Sequence, residues 1–260
     1  MIFRAICHVH NFAIRFLTKK NSITFVTMRR QKISLEGLTV IFEDNHLIAI
    51  NKPAGALVHG DETGDKTLAD SVKQYIKTRY NKPGDVFLGV IHRLDRPVSG
   101  VVIFARTSKA LIRMNKMLQE KTIHKTYLAI VTKRPEELSA TLTHHISKDE
   151  TKNIVKAYAS KKSGTKEAIL KYQLKGELDG KILLEVNPLT GRPHQIRAQL
   201  SKIDCPILGD LKYGAEYPMP DKSIGLHCYE MSFLHPVKNE PVVIKADPPY
   251  KFPWNIFSVD

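Results

Sequence analysis

The chain has 260 residues, 42% of them hydrophobic and 25% charged, which is the composition of a globular protein able to bury a sizeable core in one long domain. It has no apolar run of about eighteen residues, which excludes a spanning helix. Its three cysteines, Cys7, Cys205 and Cys228, form neither a disulfide framework nor a zinc-ligand spacing and fit a reducing compartment. A formal charge of +14 points to a polyanionic partner, with nucleic acid ahead of a membrane surface.

Residues 1–35 hold seven Lys/Arg and no Asp or Glu. That is the character of an organelle-targeting peptide. The alternative is a start at Met28, with Met28-Arg29-Arg30-Gln31-Lys32 as an ordinary basic beginning. Either way the segment is expected to be a dispensable extension, and residues 36–260 a single domain. Residues 38–43 and 47–52 read as strands around the polar turn Asp44-Asn45-His46, and Pro53 and Gly55 end the second. The stretch of residues 60–67 is rejected as a phosphate loop, since its glycines are spaced one residue too closely and its three acids would repel phosphate. Residues 67–79 carry Leu68, Val72 and Ile76 at helical spacing. The apolar runs 86–91 and 101–105 predict two strands, with His92-Arg93-Leu94-Asp95-Arg96-Pro97-Val98-Ser99-Gly100 connecting them. Ser108 is positioned to cap a helix with an apolar face of Leu111, Met114, Met117 and Leu118. Residues 121–131 predict a strand containing Tyr127. His144-His145 lacks the partners of a metal site, so no metal is expected. Residues 167–186 predict a hairpin about Asp179-Gly180, and residues 194–202 a helix. Hairpins interspersed with helices, without βαβ alternation, predict an α+β domain with a mainly antiparallel sheet.

The connection at residues 92–100 sets one carboxylate, Asp95, between Arg93 and Arg96. Guanidinium groups favour an ionised carboxylate, which suits a nucleophile or an electrostatic stabiliser and not a general acid. Alone, such a contact is an ordinary loop ion pair. It is accompanied by Lys125-Thr126-Tyr127-Leu128-Ala129 and by Leu189-Thr190-Gly191-Arg192-Pro193-His194-Gln195-Ile196-Arg197. Ile48-Ala49-Ile50-Asn51-Lys52-Pro53-Ala54-Gly55 precedes these blocks and Pro206-Ile207-Leu208-Gly209-Asp210 follows them. In this order they resemble the RluA family of RNA pseudouridine synthases, from about residue 39 to 248. Val98 departs from the family, which more often has Thr there.

The resemblance implies a pseudouridine synthase fold, with a mixed central sheet, flanking helices and a basic active-site cleft. It implies isomerisation of specific uridines in ribosomal or transfer RNA, without a cofactor. Asp95 matches the catalytic aspartate, whether it attacks C1′ or removes the C2′ proton. Tyr127 matches the active-site tyrosine that stacks on uracil and takes part in C5 proton transfer; a core tyrosine is the plainer reading. Arg197 matches the basic partner of the aspartate. Arg192 is a candidate phosphate contact, and Arg93 a candidate to fill the space of an extruded nucleotide. His92 is a positioning candidate. Leu189 and Ile196 are candidates for the base pocket or for the core. Gly100 and Gly191 are expected at tight turns. No appended RNA-binding module of the S4 type is expected, and a cytoplasmic monomer is the default. The rival reading is a non-catalytic RNA-binding or RNA-folding protein on the same scaffold. A glycosidase ranks last, for want of a second placed carboxylate.

Overall fold

The computed structural model describes residues 33–35, 38–60 and 64–258. The basic extension, Cys7 and the candidate start at Met28 therefore lie outside the described residues. The first hairpin follows its sequence pattern. Strand β1 (Ile33–Leu35) pairs with β2 (Leu38–Glu43), whose alternating burial marks a sheet with one covered face. Asp44 then makes the turn, its carboxylate accepting the backbone N–H groups of His46 and Leu47 at 2.8 Å each. The returning β3 (Leu47–Lys52) is buried almost throughout.

Helix α1 (Leu68–Arg79) begins with a capping box. The Thr67 hydroxyl accepts from the Asp70 N–H, and the Asp70 carboxylate accepts from the Thr67 N–H. Its buried residues, Leu68, Ala69, Val72, Tyr75 and Ile76, fall on one face. The predicted strand at residues 86–91 shrinks to the two-residue β4 (Gly89–Val90). Gly89 lets helix α2 lie close, since a β-carbon there would stand 2.7 Å from Leu111. Strand β5 (Ser99–Ala105) is buried at every position. Helix α2 (Ser108–Gln119) is capped by Thr107 in place of Ser108: the Thr107 hydroxyl accepts from the Ala110 N–H, which puts Ser108 inside the first turn.

Strand β6 (His124–Val131) carries Tyr127. Strands β7 (Ser139–Asp149) and β8 (Ile154–Tyr158) form a hairpin. The next, β9 (Lys166–Leu178) with β10 (Lys181–Pro188), turns at Asp179 and Gly180, both at positive φ (51° and 67°), as a two-residue connection of this kind requires. Helix α3 (Gln195–Lys202) follows, then β11 (Leu226–Leu234) and β12 (Pro241–Lys245).

The strands form one sheet in the order β1-β2-β3-β5-β11-β6-β10-β9-β7-β8, with β12 on β11 and β4 on β5. All pairings are antiparallel except β5 with β11. At that parallel contact Gly100 stands opposite Cys228 with φ +117°, and a β-carbon would lie 2.2 Å from the Cys228 carbonyl oxygen. Gly191 has neither a positive φ nor a close neighbour, so the expected need for glycine is absent there. Among the described residues no helix is long and apolar enough to cross a membrane.

Candidate active site

The loop between β4 and β5 is held from several sides, which fixes where Asp95 sits. The His92 ring accepts the Ile103 N–H at Nε2 (3.1 Å), and burial lowers its pKa well below the usual value, so it is a neutral anchor. Leu94 and Val98 are buried in the core. The Arg96 carbonyl accepts the Gly55 N–H at 2.7 Å and the Lys52 ammonium at 3.2 Å. The Pro97 carbonyl accepts the Ile224 N–H at 3.2 Å. A carboxylate on so constrained a loop cannot wander.

The guanidinium that holds Asp95 is distant in sequence. Arg197 Nη1 donates to Asp95 Oδ2 at 2.9 Å. Its Nε and Nη2 donate to the two oxygens of Asp210 at 2.7 and 2.8 Å. Asp210 is 1% exposed, so one buried carboxylate anchors the arginine while a half-buried one faces the cleft. The neighbours expected to flank Asp95 do not hold it. Arg96 turns away to Asp65 (3.0 Å) and the Gly55 carbonyl. Arg93 is exposed on the cleft, without a partner among the described residues. Successive residues of a turn point apart, which is why adjacency in sequence misled here.

Tyr127 lies on β6 opposite Cys228 of β11. Burial, with Cys228 and Asp95 adding to it, pushes the phenol well above 10. Burial also pushes the thiol up to about 12. Both groups therefore hold their protons at neutral pH. Lys125, two residues before Tyr127, is pushed down by burial.

A cleft of about 1600 Å³ joins these groups. Its lining includes Arg93, Lys121, Lys125, Lys148, Lys171, Arg192 and Lys212, and Asp95 is the one carboxylate among the described lining residues. Leu189 lines it and is exposed; Ile196 does not, because its side chain packs into the core. Arg192 is exposed at the rim, its Nε donating to the Glu167 carbonyl at 3.2 Å. His144 and His145 are consecutive strand residues and face opposite sides of β7; His144 hydrogen-bonds the Gln199 amide at 3.1 Å.

Three partners at this site had no role assigned from sequence. Asp210, Lys52 and His194 all lie in the motif blocks, but what they do depends on burial and on partners far along the chain. The arrangement offers one anchored carboxylate, an aromatic ring with a protonated hydroxyl, and a cationic surround. Residues 46–202 match the RNA pseudouridylate synthase family. A ribosomal large subunit pseudouridine synthase C of Rickettsia prowazekii is 33% identical, over 82% of this chain and 69% of that protein. A tRNA pseudouridine synthase C of Vibrio parahaemolyticus is 33% identical, over 80% of this chain and 89% of its own. The solved human RNA pseudouridylate synthase domain containing 4 is similar in fold, with a TM-score of 0.67 at 23% identity, over 81% of this chain and 88% of that one.

Proposed function

The chain belongs to the RNA pseudouridylate synthase family, and from that premise we propose that Asp95 is its catalytic carboxylate, acting on a uridine of ribosomal or transfer RNA. The observation that carries this is the clamp Asp210–Arg197–Asp95 in a cleft with no second described carboxylate. Such a cleft does not suit paired-carboxylate glycoside hydrolysis, since Asp210 has both oxygens committed to Arg197.

The isomerisation breaks N1–C1′, turns the freed uracil, joins C5 to C1′, and moves the C5 proton off while N1 gains one. Attack at C1′ and removal of the C2′ proton both use an ionised carboxylate oxygen. Arg197 keeps Asp95 in that state when the RNA displaces water. The Tyr127 ring stacks on the base. Its hydroxyl, protonated at neutral pH, accepts the C5 proton only by passing on its own. Arg93, free at the rim, occupies the space of the extruded nucleotide. Arg192 meets phosphate, and Leu189 borders the base. His92 acts only through the loop it anchors. Residues 36–260 form the catalytic domain, working as a cytoplasmic monomer with RNA as its partner.

The test is release of tritium from uridine C5 in ribosomal and transfer RNA transcripts, assayed separately. Wild type is expected to release it, and Asp95→Asn to lose at least about 1000-fold while melting normally. Turnover by Asp95→Asn would sink the assignment. Salt-sensitive binding without release by wild type would favour a non-catalytic RNA-binding protein. Tyr127→Phe is expected to bind RNA as wild type does and to release tritium far more slowly.

A further inference from the structure

One half-buried, strained residue beside Asp95 has no part in the mechanism above. His194 precedes α3 with φ 48° and ψ 19°, a left-handed conformation that costs a residue with a β-carbon about 1 kcal/mol. Its side chain is 10% exposed. Its Nδ1 lies 2.8 Å from the Tyr213 hydroxyl. That hydroxyl already accepts the Val155 N–H at 2.9 Å, so its own proton is directed to Nδ1. A neutral imidazole that accepts at Nδ1 carries its proton on Nε2. His194 Nε2 stands 3.6 Å from Asp95 Oδ2, the same oxygen that accepts from Arg197. Burial lowers the His194 pKa; Arg197 and Lys212 reinforce this, against the opposite pull of Asp95 and Asp210. The Arg197 guanidinium also lies over the Tyr213 ring, 4.8 Å from its centre.

We propose that His194 is a positioning residue for Asp95. The Tyr213 hydroxyl orients its ring, and its Nε2–H and Arg197 hold Oδ2 so that the other carboxylate oxygen is presented to the sugar. The proposal deepens the assignment of Asp95 and rests on it. At 3.6 Å the contact is longer than a hydrogen bond, and catalytic hydrogen bonds often reach full strength only when substrate excludes water.

Two substitutions separate this role from a structural one. Asparagine suits the left-handed backbone and keeps an acceptor near Nδ1, but has nothing where Nε2 was. Glutamine suits that backbone less well and restores an N–H near Nε2. The probe is a pool of ribosomal and transfer RNA transcripts tritiated at uridine C5. His194→Asn is expected to lower kcat about 100-fold, the scale set by misplacing a reacting group by about 1 Å, with KM unchanged. His194→Gln is expected to retain kcat within about 3-fold of wild type at temperatures where its melt shows it folded. The reverse order, or equal activity of the two at any level, would overturn the proposal. If His194→Asn does not fold, Tyr213→Phe decides: kcat about 10-fold lower supports the proposal, and unchanged kcat overturns it. Asp95→Asn run alongside keeps the two readings apart. Its turnover would overturn the catalytic assignment, whereas an inactive Asp95→Asn with the glutamine and asparagine order reversed would overturn only the role of His194.

Discussion

Lys52 is fully buried, yet it donates to the carbonyls of Pro53, Ala56 and Arg96 at 3.1, 2.7 and 3.2 Å. Burial pushes its pKa down to about 8; Asp95 pulls the other way, and Arg96 adds to the lowering. The folded state therefore binds fewer protons at this site than the unfolded chain between pH 8 and about 10.5. Stability rises with pH wherever the unfolded state holds more protons, so Lys52 contributes a gain across that window, of order 3 kcal/mol at most. The difference in unfolding free energy between wild type and Lys52→Met should accordingly increase from pH 8 to 10.5; a flat difference would mean that Lys52 keeps its proton in the folded protein across that window and that burial does not lower its pKa. Lys52 also marks how far single residues could be read from sequence. Asp95, Tyr127 and Arg197 each stand in a block whose residue types carry chemistry, and the fold brings all three to one cleft. Lys52 and Asp210 sit in equally visible blocks, but their work is to be buried and paired, and nothing local in a sequence reports burial. Ile196, an apolar residue in a functional block that sequence leaves open between the base pocket and the core, packs into the core.

Elements were legible where local pattern and local chemistry agree. Strands β2 and β3, helix α1 and the β9–β10 turn each combine a periodic apolar pattern with a cap or turn residue. Strands β7 and β8 escape a local reading, because Ser, Thr, His and Lys dominate β7, β8 has only five residues, and their pairing at the sheet edge is with each other and β9. Strand β11 escapes a local reading for a different reason, since its place is set by long-range pairing with β5 and β6, and β12 takes its place from β11. Helix α3 is legible at residues 194–202 although it has no apolar stripe. Six consecutive residues, Gln195 to Leu200, are buried, and Gln195, Arg197 and Gln199 tolerate it because each is hydrogen-bonded. The parallel β5–β11 contact is the junction that sets the Asp95 loop beside Tyr127, and Gly100 is its critical position. Gly100→Ala would force a methyl group into the Cys228 carbonyl and strain a φ of +117°. A loss of roughly 3–5 kcal/mol is expected, read by chemical denaturation, with the loop displaced even in the molecules that remain folded. A variant within about 1 kcal/mol of wild type would show that these two strands can separate freely.

At the scale of the whole molecule, charge and shape point to the same partner. The net charge of +14 does not by itself locate a binding surface, because seven of the basic residues lie in residues 1–35. The cleft localises it: cations from β6, β7 and β9, and from the loops before α3 and after it, face a space in which Asp95 is the one described carboxylate. If RNA runs along this surface, binding must release counterions in proportion to the phosphates met. Each lost contact then lowers the slope of log affinity against log salt by about 0.7 for single-stranded RNA. Arg192→Gln and Lys212→Gln should each reduce the slope by roughly that amount and weaken binding to every RNA alike, since phosphate carries no sequence. Lys73→Gln, on the exposed face of α1 and outside the cleft lining, removes the same charge from the molecule and should leave the slope nearly as it was. Fluorescence anisotropy on one labelled RNA across a salt series measures all three. Equal reductions at Lys73 and at the cleft positions would mean that RNA responds to overall charge and that the cleft does not carry its path. A reduction confined to the cleft would place phosphates within reach of the arginine-clamped Asp95, as the chemistry requires.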